Sequence, residues 1–368
     1  MYRASSFSLI VLTFLTLLFA SITGCSSRPQ NSRNDEDGPA VFFPPPPEVP
    51  RLQFLASYTR EEDVTGGSSS FRNFVMGDEK QQEAGIIKPY GVSMSEGSIL
   101  VCDTAWRRVW ELDLIDHEMR AMSAGEGGSE LRKPVNVAVD VDAKRYVVDV
   151  GLKRVIVFDS HGKFVKAIGD PEKWSPTAVA IHNTELYVTD VTAGQVVVFD
   201  KETTVEVRRI GTRGSADGQL FLPTNIAVAP SGHILVSDTG NFRVVEFDAT
   251  GKFLRNLGSL GRAPGQFARP KGIAVDREGR MYVVDTAFEN VQIFDAEGRL
   301  LMFFGFPGAG PGAINLPADV AIDYDNTSYF DSKVAPGKKL EYLVLVTSQY
   351  GPNKVNVYGF LKSEDGKP

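Results

Sequence analysis

Residues 223–258 carry the stretch that decides the fold, PTNIAVAPSGHILVSDTGNFRVVEFDATGKFLRNLG. Apolar runs at 226–228, 234–237 and 243–247 are separated by turn residues, including Asp238 after the second run and Asp248 after the third. A fourth run ends at Gly258. Short apolar runs between turn residues are typical of antiparallel strands joined by tight loops. The stretch therefore predicts one four-stranded antiparallel sheet.

The same phrases recur along the chain with a nearly constant period. Each unit opens with an anchor proline, and successive anchor prolines are 42 to 47 residues apart: Pro89, Pro134, Pro176, Pro223, Pro270 and Pro317. A period in the forties with strand-type content is typical of β-propellers, in which each unit forms one blade. The units predict an all-β chain that folds as a six-bladed β-propeller of four-stranded antiparallel blades.

An aspartate ends the second strand in five of the units: Asp103, Asp149, Asp190, Asp238 and Asp285. Five residues further on stand Arg108, Arg154, Gln195, Arg243 and Asn290. A catalytic carboxylate is not expected in every blade, whereas aspartate often accepts backbone N–H groups in turns. We expect these aspartates to hold the loops, with the residue five positions later as their partner.

The sixth unit departs from the pattern, because it contains an insert at residues 325–341 and no fourth strand. Residues 51–58 (RLQFLASY) resemble the fourth strands of the other units. A propeller must cover the open sheet edge where its first and last blades meet. We therefore expect an N-terminal strand to complete blade six and close the ring.

The N-terminus resembles that of a bacterial lipoprotein. Residues 7–20 (FSLIVLTFLTLLFA) are apolar over the length of a signal sequence and are short for a membrane span. Residues 21–25 (SITGC) resemble a lipobox, which implies cleavage before Cys25 and lipid on that cysteine. An ordinary secretory signal with an incidental cysteine is the alternative. We assign 1–24 to the signal peptide, 25–50 to a flexible and proline-rich tether, and 51–368 to the propeller.

The repeated phrase VSDTGNFRV at 236–244 resembles the NHL-repeat family, and the resemblance extends over about residues 89–361. It implies the propeller fold. It does not imply one activity, because the family includes binding scaffolds, lyases and RNA-binding domains. With its lipobox and proline spacer, the chain also resembles bacterial NHL-repeat lipoproteins. Such a protein is expected in the cell envelope, and in the outer membrane if the organism has two membranes.

Charge and cysteine content narrow the function classes. The 368 residues carry a formal net charge of −7, which argues against broad nucleic-acid binding. Two cysteines cannot form a disulfide framework or a multi-cysteine zinc site. The expected partners are a membrane through the lipid anchor and either an envelope protein or a small anionic ligand. We expect the propeller to be monomeric.

Residues two positions after the anchor prolines are expected at the mouth of the central channel: Gly91, Asn136, Ala178, Asn225, Gly272 and Asp319. The oxygens of Asn136, Asn225 and Asp319 suit Ca²⁺, although backbone carbonyls or waters would have to supply further ligands. Calcium-dependent lactonases share the propeller shape and use such ligands. The alternative is that these side chains only cap turns.

Loops between second and third strands lie on the same face as the channel mouth. They offer basic and aromatic residues that could hold an anionic or planar ligand: Trp106, Arg107, Lys153, Phe242, Phe288 and Tyr350. Ordinary loop variation is the alternative. Candidate binding residues are therefore assigned to this face.

Enzyme motifs are scarce in the sequence. The histidines His117, His161, His182 and His233 fall on turns of the opposite face, and no His or Cys pair has metal-ligand spacing. We assign no catalytic residue and no cofactor, with Ca²⁺ as the one candidate. The main hypothesis is a lipid-anchored extracytoplasmic binding scaffold. The alternatives are a divalent-cation-dependent hydrolase or lactonase at the channel mouth and a structural envelope protein.

Overall fold

The computed structural model describes residues 39–66, 85–122 and 130–362. The predicted signal peptide (1–24), the lipidation residue Cys25 and most of the predicted tether lie outside the described residues. Within the described ranges, no helix has the length and apolar composition needed to cross a membrane.

Two strands and a short helix precede the first blade: β1 (Phe42–Phe43), β2 (Leu52–Tyr58) and α1 (Glu61–Thr65). Blade 1 contains β3 (Pro89–Ser95), β4 (Ser98–Asp103), β5 (Arg108–Asp113) and β6 (Glu118–Ala121). Blade 2 contains β7 (Pro134–Val139), β8 (Arg145–Asp149), β9 (Arg154–Phe158) and β10 (Phe164–Ile168). Blade 3 contains β11 (Pro176–His182), β12 (Glu185–Asp190), β13 (Gln195–Asp200) and β14 (Glu206–Ile210).

A small parallel pair follows blade 3: β15 (Thr212–Arg213) and β16 (Gln219–Leu220). Blade 4 contains β17 (Pro223–Val228), β18 (Ile234–Asp238), β19 (Arg243–Phe247) and β20 (Phe253–Leu257). Blade 5 contains β21 (Pro270–Val275), β22 (Met281–Asp285), β23 (Asn290–Phe294) and β24 (Leu300–Phe304). Blade 6 takes β25 (Pro317–Asp323), β26 (Leu340–Ser348) and β27 (Val355–Leu361) from the C-terminal part, and 3₁₀ turns lie at Thr239–Asn241 and Thr327–Lys333.

The blades form a closed ring around their first strands. Each of blades 1 to 5 is an antiparallel sheet whose four strands follow chain order. The first strand of each blade contacts the first strand of the next, and β25 contacts β3. The six-bladed all-β propeller predicted from the repeats is thereby confirmed.

Blade 6 is completed by the N-terminal strand, as predicted. Its strand order is β1-β2-β27-β26-β25, so β2 lies where the fourth strand stands in the other blades. The antiparallel register joins Leu52 to Phe360 and Tyr58 to Val355. Leu52 is fully buried, as expected for a strand that covers an otherwise open edge.

A fifth strand extends blade 6 beyond the predicted pattern. The N–H of Arg51 donates to the carbonyl of Phe43, and that of Phe54 donates to Val41. The buried ring of Phe43 lies 5.9 Å from Tyr358, measured between ring centroids. The paired part of the chain therefore begins before the predicted boundary at residue 51. Residues 44–47 lie within the connection from β1 to β2, whereas the prediction placed them in a spacer before the folded body.

The core lies between neighbouring blades. Every residue of the second strands β8, β18 and β22 is buried, because each sheet is covered on both faces by the adjacent sheets. The outer strand β24 instead alternates between exposed and more buried residues. This pattern explains why the inner strands are continuous apolar runs in the sequence.

The insert of the sixth unit holds the closing strand. Phe330 of the insert is buried in the core shared by blades 6 and 1. The buried Gln53 of β2 donates Nε2 to the carbonyl of Lys333 at 2.8 Å and accepts the N–H of Ala335 at 3.0 Å. The insert thus fastens the N-terminal strand to blade 6.

Candidate functional site

One layer of the central channel alternates small and polar residues. The position two residues after each anchor proline holds Gly91, Asn136, Ala178, Asn225, Gly272 and Asp319. A Cβ atom on Gly91 would lie 2.5 Å from Cα of Asn136, and one on Gly272 would lie 2.5 Å from Cα of Asp319. Neighbouring first strands are therefore too close at these glycines for a side chain. The layer has room for three polar side chains.

Those three side chains meet in the channel. Asn136 donates Nδ2 to Asp319 Oδ2 at 3.1 Å, and Asn225 donates Nδ2 to Asp319 Oδ1 at 3.1 Å. The N–H of Val92 adds a 3.3 Å bond to Oδ2, and Asn136 Oδ1 accepts the N–H of Val179 at 2.9 Å. The structure thus brings the three predicted channel residues together as a network of hydrogen bonds. Whether the network also binds Ca²⁺ stays a prediction.

Burial sets the protonation of this network. Removal from water raises the pKa of Asp319 to about 7, although hydrogen bonds from Val92 and the two asparagines act in the opposite direction. A carboxyl group with that pKa is partly protonated at neutral pH. The channel therefore carries only a fraction of a negative charge beneath its mouth.

The strand-ending aspartates position the residues around that mouth. Asp149 accepts the backbone N–H of Lys133 at 3.0 Å and those of Gly151 and Leu152 at 2.8 and 2.9 Å. Asp103 accepts the N–H of Lys88 at 3.2 Å in the same way. The prediction that these aspartates hold the loops is confirmed. Each one ties the loop after its own strand to the segment that enters the inner strand of the same blade.

A cavity of about 300 Å³ lies at the centre of this face. All six blades line it, with residues Lys88, Tyr90, Thr104, Lys133, Val135, Val150, Thr177, Thr224, Asn225, Lys271 and Gln349. Asn225 belongs both to this lining and to the buried network. The cavity therefore lies directly above the channel layer.

The ionisable side chains that line the cavity are cationic lysines, apart from the Tyr90 phenol. Lys271 donates Nζ to the Tyr90 hydroxyl at 2.7 Å, and its Nζ lies 4.7 Å from the centroid of that ring. Nζ of Lys88 lies 6.0 Å from the Tyr350 ring. In the part of the chain that the structure describes, Lys88, Lys133 and Lys271 form no ion pair. The cavity lining thus combines three lysines with residues that carry hydroxyl and amide groups.

The predicted binding residues lie on the same face but not in one site. Trp106 and Arg107 line a groove between blades 1 and 2 that also contains Arg108, Arg132 and Lys133. Arg107 and Lys153 are exposed, and both adopt a left-handed backbone with φ of 56° and 53°. The other three predicted residues are Phe242 and Phe288, which are half-buried, and the exposed Tyr350.

Lys133 and Thr104 line both the groove and the central cavity. Trp106 and Arg107 are therefore linked to the cavity through shared lining residues. Lys153, Phe242, Phe288 and Tyr350 do not line it. The groove also contains Glu130, but basic residues outnumber it, and we call the surface that the groove and the cavity form together the mouth face.

The predicted pairing of each aspartate with the residue five positions later is wrong for blades 1, 2, 3 and 5, where no hydrogen bond or ion pair joins the two side chains in the described structure. Asp103 is occupied by backbone N–H groups, including that of Ile87 at 2.7 Å. The Arg108 guanidinium lies between the rings of Trp106 and Trp110, 5.1 and 5.0 Å from their centroids. Two aromatic faces compete successfully for this cation. Within the described residues, the pairing forms in blade 4, where Arg243 Nε lies 3.3 Å from Asp238 Oδ2.

Sequence reasoning missed the lysines of the cavity. Lys88 and Lys133 directly precede their anchor prolines, whereas Lys271 directly follows its own. Their position next to the anchor prolines is the sequence signal that could have identified these lysines, because the same prolines locate the channel residues. Because the lysines occupy different repeat positions, a comparison at one fixed position does not group them.

Metal-binding groups do not converge elsewhere in the described ranges. No cluster of three or more His, Cys, Asp or Glu side chains is placed there to hold a metal ion. His233 instead pairs with Glu246, at 2.8 Å between Nδ1 and Oε1. Cys102 is fully buried, and burial raises the pKa of its thiol.

Comparison with known proteins agrees with this architecture. The NHL repeat model matches residues 222–247, which cover the first three strands of blade 4. A protein of Caenorhabditis elegans described as a probable peptidyl-alpha-hydroxyglycine alpha-amidating lyase is 30% identical over 118 residues. That alignment covers 30% of this chain and 34% of the lyase, so the chain spans about a third of the relative that it matches.

Solved structures share the fold at low sequence identity. A Bacteroides thetaiotaomicron protein of unknown function is 17% identical, with a TM-score of 0.59 over 84% of this chain and 75% of its own. A gluconolactonase from Xanthomonas campestris is 14% identical, with a TM-score of 0.57 over 88% of this chain and 98% of its own. At these identities the likeness concerns the fold alone. The chain is a six-bladed β-propeller that carries the NHL repeat.

Proposed function

We propose that this propeller is a lipid-anchored extracytoplasmic binding protein whose central cavity takes a small anionic ligand. The observation that carries the proposal is the cavity of about 300 Å³ whose lining includes Lys88, Lys133 and Lys271. None of the three is neutralised by an ion pair among the described residues. A compact organic anion would supply the missing negative charge.

Size and charge define the ligand class. A volume of about 300 Å³ is at the lower end for small-molecule sites, which fits a ligand with few heavy atoms. The chain as a whole carries a formal charge of −7, so this cationic surface is a local exception. Such a surface increases the association rate of anions, and salt screens it. Carboxylate and phosphate groups match the ammonium and hydroxyl donors that line the cavity.

Isothermal titration of the purified protein with citrate and with inorganic phosphate at low ionic strength tests this assignment. The double variant Lys133→Gln/Lys271→Gln should bind either probe at least about tenfold more weakly, because two of the three charges are lost. The matched control is Lys163→Gln/Lys252→Gln. It removes two exposed lysines from turns between third and fourth strands, on the opposite face. Equal affinity in the two double variants, or no binding by the wild type, would overturn the proposal.

The anchor rests on the N-terminal sequence. Residues 7–20 are apolar, and the SITGC segment resembles the site at which a bacterial lipoprotein is cleaved and acylated on Cys25. Cys25→Ala should leave the signal uncleaved or release the protein to the soluble fraction. A variant that is processed and stays on the membrane would contradict lipidation at this residue.

A cation-dependent hydrolase is the second candidate, and the convergence of Asn136, Asn225 and Asp319 favours it. The donor arrangement fits a cation poorly, since both asparagine amides direct N–H groups at the carboxylate. Ca²⁺ takes six to eight oxygen ligands, so the amides would have to rotate and further oxygens would have to join. An increase in melting temperature on adding Ca²⁺ that disappears in Asp319→Asn would support this candidate.

A further inference from the structure

An apolar groove lies at the rim of the propeller between the outer strands of blades 5 and 6. Its volume is about 770 Å³. Strand β24 and the segment after it supply Leu301, Phe303 and Phe306, while the segment around β1 supplies Val41 and Val49 among others. No function described for the mouth face involves this groove.

The groove exposes more apolar surface than folding requires. The exposed fractions of Leu301, Phe303 and Phe306 are 53%, 55% and 42%, and that of Val49 is 73%. Contiguous exposed apolar side chains on a soluble domain commonly mark an interaction site. The floor is fixed, because Phe43 lies 6.1 Å from Phe304 and 6.2 Å from Phe306 between ring centroids. The groove is therefore preformed.

The charge of the groove distinguishes it from the mouth face. Its ionisable lining residues are Glu48 and Arg51, which carry opposite charges. Its binding would therefore depend on apolar contact and would change little with salt. The groove is therefore better suited to bind an apolar surface than a charged ligand.

The order of residues along the chain indicates that a lipid bilayer would lie near this groove. Residues 1–38 lie outside the described part and lead directly into residues 39–41, of which Val41 lines the groove. If Cys25 carries lipid, the groove is the apolar surface nearest to the anchor along the chain. A fully extended chain spans about 3.3–3.6 Å per residue, so the stretch from Cys25 to Pro39 reaches at most about 50 Å.

We infer that this groove docks on the lipid bilayer, with Leu301, Phe303, Phe306 and Val49 entering the boundary between headgroups and acyl chains. The inference rests on the proposed lipid anchor, which keeps the propeller close to the membrane. Aromatic and aliphatic side chains enter that boundary favourably, and the gain scales with the apolar area that is buried. Docking would fix the orientation of the anchored propeller and would not require anionic lipids.

A fluorescent label on the groove tests the docking. The full chain is purified from membranes and reconstituted in phosphatidylcholine vesicles, with a polarity-sensitive dye on Leu301→Cys. The matched control is Val207→Cys, because Val207 is 52% exposed on the outer strand of blade 3. Dye uptake at other sites is limited, because Cys102 is fully buried and Cys25 would be acylated. Brominated lipid then serves as a quencher inside the bilayer.

Quenching at position 301 should be at least about threefold stronger than at position 207, and it should not change when salt is raised. Adding Phe303→Ser should lower the quenching at position 301. Vesicle flotation, with dye uptake by the wild type, reports on the anchor separately. Flotation with equal quenching at both positions would overturn the docking surface and leave the anchor intact. Failure to float would overturn both, and a wild-type chain that takes up dye at Cys25 would overturn the acylated anchor.

Discussion

Asn136 and Asp319 are 183 positions apart in the sequence, yet the amide of one donates to the carboxylate of the other at 3.1 Å across the channel. The contact joins blades 2 and 6 in the layer where Gly91 and Gly272 let neighbouring first strands approach closely. The Asp319 carboxyl group in this contact is buried, so the stability of the protein should depend on pH.

The stability of the protein should fall as pH rises toward neutrality because of Asp319. The unfolded chain releases this proton near pH 3.9, whereas the folded protein holds it to a pKa of about 7. A raised pKa in the folded state gives stability that is complete below the unfolded pKa and is lost as pH rises through the folded pKa. Three pH units correspond to at most about 4 kcal/mol.

Chemical denaturation from about pH 4.5 to about pH 8 measures this effect. The side chain in Asp319→Asn cannot ionise. The free energy of unfolding of this variant, relative to that of the wild type, should therefore increase as pH rises. Asp248→Asn is the control, because hydrogen bonds within an exposed turn lower the pKa of Asp248. Its difference from the wild type should stay constant in this range. Parallel pH curves for Asp319→Asn and the wild type would refute the effect.

The close approach of first strands predicts a cost for one added methyl group in the channel. In Gly272→Ala, the new Cβ would lie 2.5 Å from Cα of Asp319, so strand β21 or β25 must shift. Such overpacking typically costs about 1–3 kcal/mol. Gly310→Ala adds the same methyl group where no atom lies within 4 Å. Thermal melting should separate the two variants, and equal melting temperatures would mean that the strands are further apart than described.

Gln53 should contribute to closure of the ring. In Gln53→Ala, the carbonyl of Lys333 and the N–H of Ala335 lose their hydrogen bonds to the Gln53 side chain. Each such hydrogen bond typically contributes about 0.5–1.5 kcal/mol to stability. Ser57→Ala on the same strand removes only one long hydrogen bond, of 3.5 Å to Asn353, and should have a smaller effect. Urea unfolding checks this order, and the reverse order would show that the insert does not fasten β2.

The exposed cations beyond the cavity should matter for binding and not for folding. Replacing Arg107 and Lys153 with Gln keeps a polar side chain at each position and removes one charge from the groove and one from the loop that follows β8. The free energy of unfolding should stay within about 0.5 kcal/mol of the wild-type value, because both side chains are exposed. Recovery of anionic envelope partners in a low-salt pull-down should decrease. Unchanged recovery would restrict the binding site to the central cavity.

Much of the fold could be predicted because the strands and turns of each blade follow one another within a single short stretch of sequence. The anchor prolines and strand-ending aspartates recur at equivalent positions of the repeats, so the sequence alone places Asn136, Asn225 and Asp319 in one layer. The closing strand was predictable because residues 51–58 resemble the fourth strands of other blades.

The remaining features depend on contacts between distant or dissimilar positions. Arg108 departs from the predicted pairing, and its guanidinium lies over the rings of Trp106 and Trp110 instead. The hydrogen bond from Gln53 to the insert joins residues that are 280 positions apart, and no local sequence pattern predicts this contact. The cavity lysines stand on either side of the anchor prolines, so no single repeat position groups them in the sequence.

Closure of blade 6 by β2 also sets an order of events during synthesis. Ser57 and Asn353, which meet across this closure, are 296 positions apart. At about 5–20 residues per second, the ribosome needs roughly 15–60 s to make the chain between them. For that time β2 lacks its partner β27, while the intervening blades can already form from local hairpins. Ring closure is thus a late, long-range step, and the edge of β2 that will pair with β27 stays open to a chaperone until the C-terminal strand has been made.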